Sequence, residues 1–243
     1  MSRMFRNCED YIKEIDRELF QSGIKIEINH YQNKKLEGED RFTKEIIGVD
    51  VCISKPLQKR FEMLQHIFGP KAEQIEQYCI QEFKDRISPI PLNPGNSYKI
   101  RQDLWQKFMV DNDTKFDYTY SERLCDKWSL AIAALKEDKH SRQALMEIFR
   151  PEDLAAFGGN TRIPCSVFYQ YLIRNDQLHC IYTMRSSDYF GHNPIDIWLA
   201  AESIKYMVEQ LKDTYPELET GKLYFKAGSL HAYNWDLKER LLF

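Results

Sequence analysis

The sequence lacks the features that mark metal centres, membrane spans and exported proteins. Its six cysteines are widely scattered, with no two at the spacing of metal ligands, and we therefore expect no metal site. It contains no apolar run of membrane length and no secretory signal, so we expect a cytoplasmic protein with free thiols and no membrane contact. A formal net charge of -3 gives no reason to expect nucleic-acid binding. One of the free cysteines is therefore available as a nucleophile.

What the chain does have is enough apolar sequence for a sizeable core. Its 243 residues are 43% hydrophobic and 13% aromatic, and no internal repeat or linker divides them, so we expect a single domain over residues 1–243. Helix and strand patterns without strict alternation favour an α+β fold, in which helices pack against a large mixed β-sheet. The periodicity predicts helices at 9–21, 71–86, 121–137 and 196–212, strands at 24–29, 46–53, 167–173, 178–184 and 223–233, and a hairpin turn at 174–177.

Three short segments contain residues that can take part in catalysis or ligand binding. Pro164-Cys165 precedes an apolar strand, Arg185 to Asp188 end the next strand before a Gly/Pro loop and Asp196, and Gly228 to Tyr233 lie in the last strand. A guanidinium and a hydroxyl at the end of a strand can converge on a phosphate. Taken singly, these residues have ordinary explanations: a cysteine is usually a small buried residue, and an aspartate before a helix is usually an N-cap. Their order and spacing indicate more.

In this order, with Cys165 and Arg185 twenty residues apart, the segments resemble the nucleotide site of the thymidylate synthase and pyrimidine hydroxymethylase family. The resemblance is strongest over residues 120–233. It implies a thymidylate synthase-like fold and a homodimer in which two sheets pack face to face. It also implies that Cys165 adds as a thiolate to C6 of a pyrimidine, so that C5 can attack a one-carbon electrophile. A neighbouring arginine would favour the thiolate.

The same resemblance assigns nucleotide contacts to five residues. Arg185 and Ser186 would bind the phosphate. The main-chain amide of Asp188 would donate to the pyrimidine O2, while its side chain helps to fix the loop. His231 and Tyr233 alternate on one face of a strand and would bind the 3′-hydroxyl of the sugar.

Two further arginines are candidates for the phosphate. Arg142 lies in a Ser-Arg-Gln segment that resembles one reaching across the dimer interface to the partner's phosphate. The family carries a second arginine where this chain has Gln143, which removes one expected charge. Arg41 is the candidate for a mobile N-terminal phosphate contact, although the glycines that usually surround it are missing.

The remaining candidates lie in the less similar half of the chain. Glu82, with Glu76 as its competitor, would organise the active-site water and the proton transfers. Tyr120 aligns with a tyrosine linked to removal of the C5 proton. Trp105 aligns with a tryptophan that contacts the folate and the nucleotide. For each, an ordinary surface or core position is the alternative.

Asp196 indicates which base is bound. Its spacing from Arg185 matches the family without a gap, and thymidylate synthases carry an asparagine at this point. Uracil presents an N3–H donor beside a C4 carbonyl, which an amide complements, whereas cytosine presents an N3 acceptor beside an amino donor. A carboxyl that shares a proton with N3 suits cytosine. A mismatched buried polar pair costs about 1–3 kcal/mol, or about one to two decades of discrimination.

The resemblance therefore predicts a folate-dependent, phage-like enzyme that hydroxymethylates dCMP at C5, with 5,10-methylenetetrahydrofolate as co-substrate. Water would complete the transfer. The first alternative is a thymidylate synthase, the short archaeal form included, that methylates dUMP with a hydride from the folate. The second is a nucleotide-binding homologue without catalysis. Because the chain ends ten residues after Tyr233, where many relatives continue over the folate, the identity of the pterin stays open.

Overall fold

The computed structural model describes residues 2–32, 34–156 and 161–241. Within these ranges the strands are β1 Arg3–Phe5, β2 Ile24–Glu27, β3 His30–Tyr31, β4 Lys34–Lys35, β5 Phe42–Ile53, β6 Leu145–Glu147, β7 Ser166–Arg174, β8 Gln177–Asp188 and β9 Glu219–Tyr233. The α-helices are α1 Cys8–Ser22, α2 Arg60–Phe68, α3 Ala72–Arg86, α4 Gln102–Trp105, α5 Tyr120–Leu124, α6 Lys127–Glu137, α7 Asn193–Leu211 and α8 Asn234–Leu241.

A seven-stranded mixed sheet forms the centre of the molecule. Its strand order is β1-β5-β9-β8-β7-β6, with β2 also paired to β5. The long strands β5 and β9 are antiparallel, β9 and β8 are parallel, and β8 and β7 form an antiparallel hairpin. The parallel pairing sets Asp188 opposite His231, so the ends of β8 and β9 meet at one edge of the sheet.

Helices cover one face of this sheet, and α7 lies at the centre of that layer. It packs against β8 and β9 and also contacts α2, α3 and α6. Most of its residues are buried, as expected of a helix that is covered on several sides. By contrast, α1 is amphipathic and packs against β5 with one face, while the side chain of Asn7 accepts a hydrogen bond from the amide of Asp10 and caps its start.

Most of the predicted elements are confirmed, and so is the α+β class. The hairpin turn is made by Asn175 and Asp176 with φ of 51° and 55°, the left-handed pair that a tight two-residue turn requires. The single helix predicted at 121–137 is wrong, because the chain breaks at Cys125 and Asp126 into α5 and α6. The break allows Tyr120 to reach a cavity while Trp128 stays in the core.

Candidate active site

A cavity of about 500 Å³ opens at the sheet edge where β8 and β9 end. Its wall also takes in the chain just before β7, the first turn of α7 and part of α3. Ten of the twelve residues predicted from the sequence line it: Glu82, Trp105, Tyr120, Cys165, Arg185, Ser186, Asp188, Asp196, His231 and Tyr233.

The two remaining candidates lie outside the cavity wall. Arg41 pairs with Glu27 at 2.7 Å and donates to Asn29 at 2.9 Å, so neighbouring residues occupy its guanidinium. Its predicted contact with the phosphate stays a prediction. Arg142 is exposed, and the predicted contact with a partner subunit is not tested by a single chain. Of the two glutamates, Glu82 lines the cavity and Glu76 does not.

One end of the cavity, which we call the thiol end, contains Cys165, Arg185, Ser186 and His231. The guanidinium of Arg185 folds back onto the segment before β7. It donates to the carbonyls of Pro164 and Ile163 at 2.9 and 3.0 Å and lies 3.8 Å from the Cys165 sulfur. Ser186 Oγ lies 3.7 Å from the same sulfur. The half-buried thiol of Cys165 thus faces a cation and a hydroxyl donor.

Two glycines allow the backbone to approach closely around this end. A Cβ on Gly228 would lie 2.8 Å from the main-chain oxygen of Arg185, and one on Gly191 would lie 2.3 Å from Asp188 Oδ2. Instead, the Gly191 amide donates to Asp188 Oδ1 at 3.1 Å and closes the loop before α7. Burial raises the pKa of Asp188 to about 6.

His231 follows Ser229 along the same face of β9, and the two side chains are in contact. Ser229 Oγ lies 3.3 Å from His231 Nδ1. Burial, assisted by the charge of Arg185, lowers the pKa of His231 to about 4, so the imidazole is neutral at physiological pH. The Tyr233 ring lies edge-on to it at 5.1 Å and stacks on Trp235 at 4.4 Å. A neutral imidazole suits a sugar hydroxyl, because it offers one donor and one acceptor.

The opposite end, which we call the carboxyl end, contains Glu82, Arg86 and Asp196, and the buried Tyr182 lies behind Asp196 in hydrogen-bond contact with it. Asp196 is only 5% exposed. Burial raises its pKa from 3.8 to about 7; Glu82 and Asp188 add to the rise, and Arg86 opposes it. The N-cap of α7 is His192, and the Asp196 amide donates to the His192 carbonyl at 2.9 Å, so the N-cap explanation of this aspartate is wrong.

A line of hydroxyl groups runs from this end toward Cys165. The Tyr182 hydroxyl is hydrogen-bonded to the Asp196 carboxyl and lies 2.5 Å from Ser166 Oγ. Ser166 donates in turn to Tyr120 OH at 3.2 Å. Burial, together with nearby Cys165 and Asp196, raises the pKa of Tyr120 to about 12, so its hydroxyl stays protonated at neutral pH. The two ends of the cavity are therefore joined by exchangeable protons.

An aromatic wall forms the third side. Trp105 and His192 have ring centroids 5.1 Å apart, and the guanidinium of Arg162 lies 4.9 Å from the Trp105 ring. Burial, together with nearby arginines, holds the pKa of His192 well below its usual range, so this ring is neutral. Flat, neutral surfaces with one cation beside them are suited to stacking against a bicyclic heteroaromatic ring.

Several residues that line the cavity or are hydrogen-bonded to its wall were not predicted from the sequence. Arg86 stands four residues after Glu82 on α3, a charge pairing that could have been noticed. Ser166 directly follows the predicted nucleophile. Arg162 and Tyr182 carry no local signal, because their neighbours in the fold are distant in sequence.

Neither a metal centre nor a membrane span appears in the part of the chain that the structure describes. No group of three or more His, Cys, Asp and Glu residues is placed there to hold a metal ion. None of the helices in those ranges combines the length and the apolar character that crossing a bilayer requires.

The cavity brings together a thiol beside an arginine, a buried carboxyl and an aromatic wall. The family model described as "Thymidylate synthase" matches residues 62–241, most of the chain. The chain belongs to the thymidylate synthase family, whose members transfer a one-carbon unit from methylenetetrahydrofolate to a pyrimidine nucleotide. The predicted family is confirmed.

Relatives of two kinds are similar to this chain. The deoxycytidylate 5-hydroxymethyltransferase of Enterobacteria phage T4 is 25% identical over 201 residues, covering 79% of this chain and 76% of its own length. A putative thymidylate synthase of Methanosarcina mazei is 24% identical over 155 residues, covering 60% and 68%. The solved structure of thermostable thymidylate synthase A from Bacillus subtilis superposes with a TM-score of 0.63 at 14% identity, over 97% of this chain and 83% of that chain. This last match confirms the fold.

Proposed function

We propose that this protein hydroxymethylates dCMP at C5. The observation that carries the proposal is the buried carboxyl of Asp196. It lies at the carboxyl end of the cavity, while the thiol end holds Cys165 beside Arg185. The similarity to the phage T4 enzyme supports the same activity.

Asp196 would select the base through its proton. A pKa of about 7 leaves much of the carboxyl protonated at neutral pH, so that it can donate to the bare N3 of cytosine. Uracil carries a hydrogen on N3 and an oxygen at C4. An ionised Asp196 would be repelled by that oxygen, and a protonated one would leave one polar group unmatched. The cost of such a buried mismatch, about 1–3 kcal/mol, favours cytosine by about one to two decades.

Cys165 would form the covalent bond. Its sulfur adds to C6, and the proton that Asp196 delivers to N3 takes up the electrons displaced by that addition, which leaves C5 nucleophilic. Arg185 faces both the sulfur and the open cavity, where it would also attract the phosphate of the nucleotide. Glu82 and Tyr120 also line the cavity and would handle the proton leaving C5 and the incoming water.

The folate co-substrate supplies the one-carbon unit. Trp105 supplies a flat face against which a pterin ring would stack, with His192 inclined to it at 47° and Arg162 4.9 Å from its ring. The residues present therefore fit this co-substrate. Stacking there would exclude bulk water from the carboxyl end, since it would cover the open side of the cavity.

A thymidylate synthase acting on dUMP is the second candidate. The similarity to the Methanosarcina mazei protein favours it, at an identity close to that of the phage enzyme. The two candidates differ in the base and in what completes the transfer, namely water for the hydroxymethylase and a hydride from the folate for the synthase.

A homodimer is part of the proposal. Arg142 is exposed and lies outside the cavity of its own chain, as a residue serving a partner's phosphate would. Ile47, in the middle of the long strand β5, is 67% exposed, so an apolar side chain stands on the uncovered sheet. Burying that face against a second copy would follow the two-fold pairing common in soluble oligomers.

Product mass is the most direct test. The protein would be incubated with methylenetetrahydrofolate and one nucleotide at a time, dCMP, dUMP or CMP. The mass of the nucleotide product would then be measured by mass spectrometry. We expect hydroxymethyl-dCMP, little product from dUMP, and no release of dihydrofolate. Methylated dUMP with dihydrofolate release would establish the synthase instead. Tight binding of dCMP with no product from any nucleotide would point to a homologue without catalysis.

A further inference from the structure

We propose that Arg162 is a binding residue for the one-carbon donor, and that its guanidinium donates to an oxygen of that molecule, either a carboxylate or a ring carbonyl. The inference rests on the proposed function and deepens it, because it names a contact that recognises the co-substrate rather than the nucleotide. The observation behind it is a buried cation without an acceptor of its own.

Arg162 is buried, yet its side chain makes no hydrogen bond or ion pair with any residue that the structure describes. The residue is 9% exposed, lines the cavity, and has a buried Nε without a hydrogen-bond partner. Its main-chain amide, by contrast, donates to Asp117 Oδ2 at 3.1 Å. Because an arginine keeps its charge in proteins, burying one without an acceptor is costly. We infer that a ligand supplies the acceptor.

Other arginines that are shielded from solvent each pair with a carboxylate. The pairs are Arg86 with Glu82 at 2.8 Å, Arg123 with Asp153 at 2.7 Å and Arg60 with Glu202 at 2.6 Å. These three arginines are therefore satisfied within the protein. Arg162 differs from them, so its lack of a partner is a property of this position rather than of the fold.

Aromatic rings surround the Arg162 guanidinium instead of carboxylates. They belong to Trp105, Tyr118, Phe108 and Phe116, and their centroids lie 4.9 to 5.5 Å from it. The face of a ring attracts a cation, but it does not replace the oxygen lone pair that an N–H group needs. The rings thus stabilise the charge and leave the N–H donors available to a ligand in the cavity.

The position of Arg162 in the chain keeps this group near the nucleophile. Arg162 precedes Cys165 by three residues, a span of at most about 11 Å even in a fully extended chain. The segment between them is held, because Arg185 donates to the carbonyls of Ile163 and Pro164 at 3.0 and 2.9 Å. A molecule bound by Arg162 is therefore held at short range from the thiol.

The chemistry of the guanidinium defines the class of ligand. In the proposed function the phosphate lies at the thiol end and the base at the carboxyl end, so the aromatic wall is left for the co-substrate. A planar guanidinium donates two parallel N–H groups to a carboxylate, or a single one to a carbonyl. A reduced folate offers both acceptors, since its glutamyl group carries carboxylates and its pterin ring carries a carbonyl. The ligand is thus a stacking ring system that bears acceptor oxygens.

The test measures binding by calorimetry in Arg162→Met, Arg162→Lys and the matched control Arg60→Met. Arg60 also lies over a tryptophan ring, 4.4 Å from that of Trp198, but outside the cavity. The ligand is tetrahydrofolate, which carries no one-carbon unit and cannot react, added to protein saturated with dCMP. Arg162→Met should weaken its binding about 10- to 100-fold, because a hydrogen bond from a charged group is lost. The Kd for dCMP should stay within about twofold of the wild type.

Arg162→Lys should weaken tetrahydrofolate binding about 3- to 10-fold, because the charge is kept and the paired donors are lost. Arg60→Met should match the wild type. Unchanged affinity for tetrahydrofolate in Arg162→Met would overturn the proposal. An equal loss for dCMP would also overturn it, because Arg162 would then serve the nucleotide. If Arg162→Met does not fold by circular dichroism, the same two criteria are applied to Arg162→Lys.

A second ligand identifies the oxygen. The diamide of tetrahydrofolate has no carboxylate, so a loss in Arg162→Met that is confined to tetrahydrofolate supports a carboxylate partner. An equal loss for the diamide supports the ring carbonyl. Repeating the titrations with dUMP separates this proposal from the proposed function. Binding of tetrahydrofolate with dUMP but not with dCMP would defeat the proposed function, while the variants could still be compared. Failure of the wild type to bind tetrahydrofolate with either nucleotide would overturn the role of Arg162.

Discussion

The thiol end and the carboxyl end of the cavity handle charge in different ways. Arg185 is exposed and is satisfied largely by main-chain carbonyls, so its charge remains available to a ligand. Arg86 is buried and is already paired with Glu82. An exposed cation needs no permanent partner, whereas a buried one without a partner is costly. Arg185 can therefore bind the charge of a ligand, whereas Arg86 can only orient charged groups that belong to the protein.

The same contrast separates binding of the phosphate from recognition of the base. Groups near solvent act on a phosphate, which is alike in all nucleotides and carries no information about the base. Groups away from solvent act on hydrogen-bond donors and acceptors, where a mismatch cannot be relieved by water. We expect substitutions at the thiol end to change rate and affinity for all nucleotides, and substitutions at the carboxyl end to change the choice among them.

The largest expected effect is that of Cys165→Ala. Turnover of every nucleotide should fall more than about 10³-fold, because no other group on the cavity wall is placed to form the covalent bond. Binding of dCMP, measured by calorimetry, should change little since Arg185 remains. Cys125→Ala is the matched control, as another half-buried cysteine outside the cavity. Residual turnover near the wild-type level in Cys165→Ala would remove the thiol from the chemistry.

Asp196→Asn should produce the next largest effect, confined to selectivity. An amide can complement uracil, so the ratio of kcat/KM for dCMP to that for dUMP should fall by about 10- to 100-fold. Competition between the two labelled nucleotides in one tube measures this ratio directly. Asp126→Asn, the same exchange at an exposed position, serves as the control. Unchanged preference in Asp196→Asn would show that this carboxyl does not read the base.

The smallest effect is on stability and depends on pH. Between about pH 4 and 7 the folded protein holds a proton on Asp196 that the unfolded chain has lost, because burial raises the pKa from 3.8 to about 7. The stabilisation that Asp196 adds to the free energy of unfolding is therefore fully present below pH 4. It is lost as pH rises to 7, by at most about 1.4 kcal/mol per pH unit. His231, whose pKa is lowered to about 4, gives the opposite slope over part of this range.

Urea denaturation of the wild type and Asp196→Asn at several pH values isolates the contribution of Asp196, because both proteins retain His231. The wild type should lose stability relative to the variant as pH rises from 4 to 7. Parallel curves for the two proteins would mean that Asp196 does not hold its proton in the folded state.

The thiol end was largely predictable from the sequence. Cys165, Arg185 and Asp188 lie within one hairpin and the loop after it, so their spacing along the chain fixes their proximity. The carboxyl end was predicted only in part. Asp196 follows the same loop, but the sequence left Glu76 open as a competitor of Glu82, because α3 reaches the cavity through tertiary packing.

The rest could not be read from the sequence because its partners are far apart. Tyr182 meets Ser166 across two strands, and Arg86 meets Tyr169 at a separation of 83 residues. The break between α5 and α6 was missed for a related reason. The apolar spacing through 121–137 fits one continuous helix. The break places Tyr120 on the cavity wall and Trp128 in the core, a difference in surroundings that the spacing does not show.

The hydrogen bond from Trp128 to the Arg86 carbonyl links the interior of the protein to its reactive groups. Trp128 is 4% exposed, does not itself line the cavity, and would ordinarily be counted as a packing residue. Yet its indole nitrogen donates to the main-chain carbonyl of Arg86, the last residue of α3, and so helps to hold a positive charge near Glu82 and Asp196. A substitution in the apolar interior would thus change the pKa values of carboxyl groups in the cavity before it unfolds the protein.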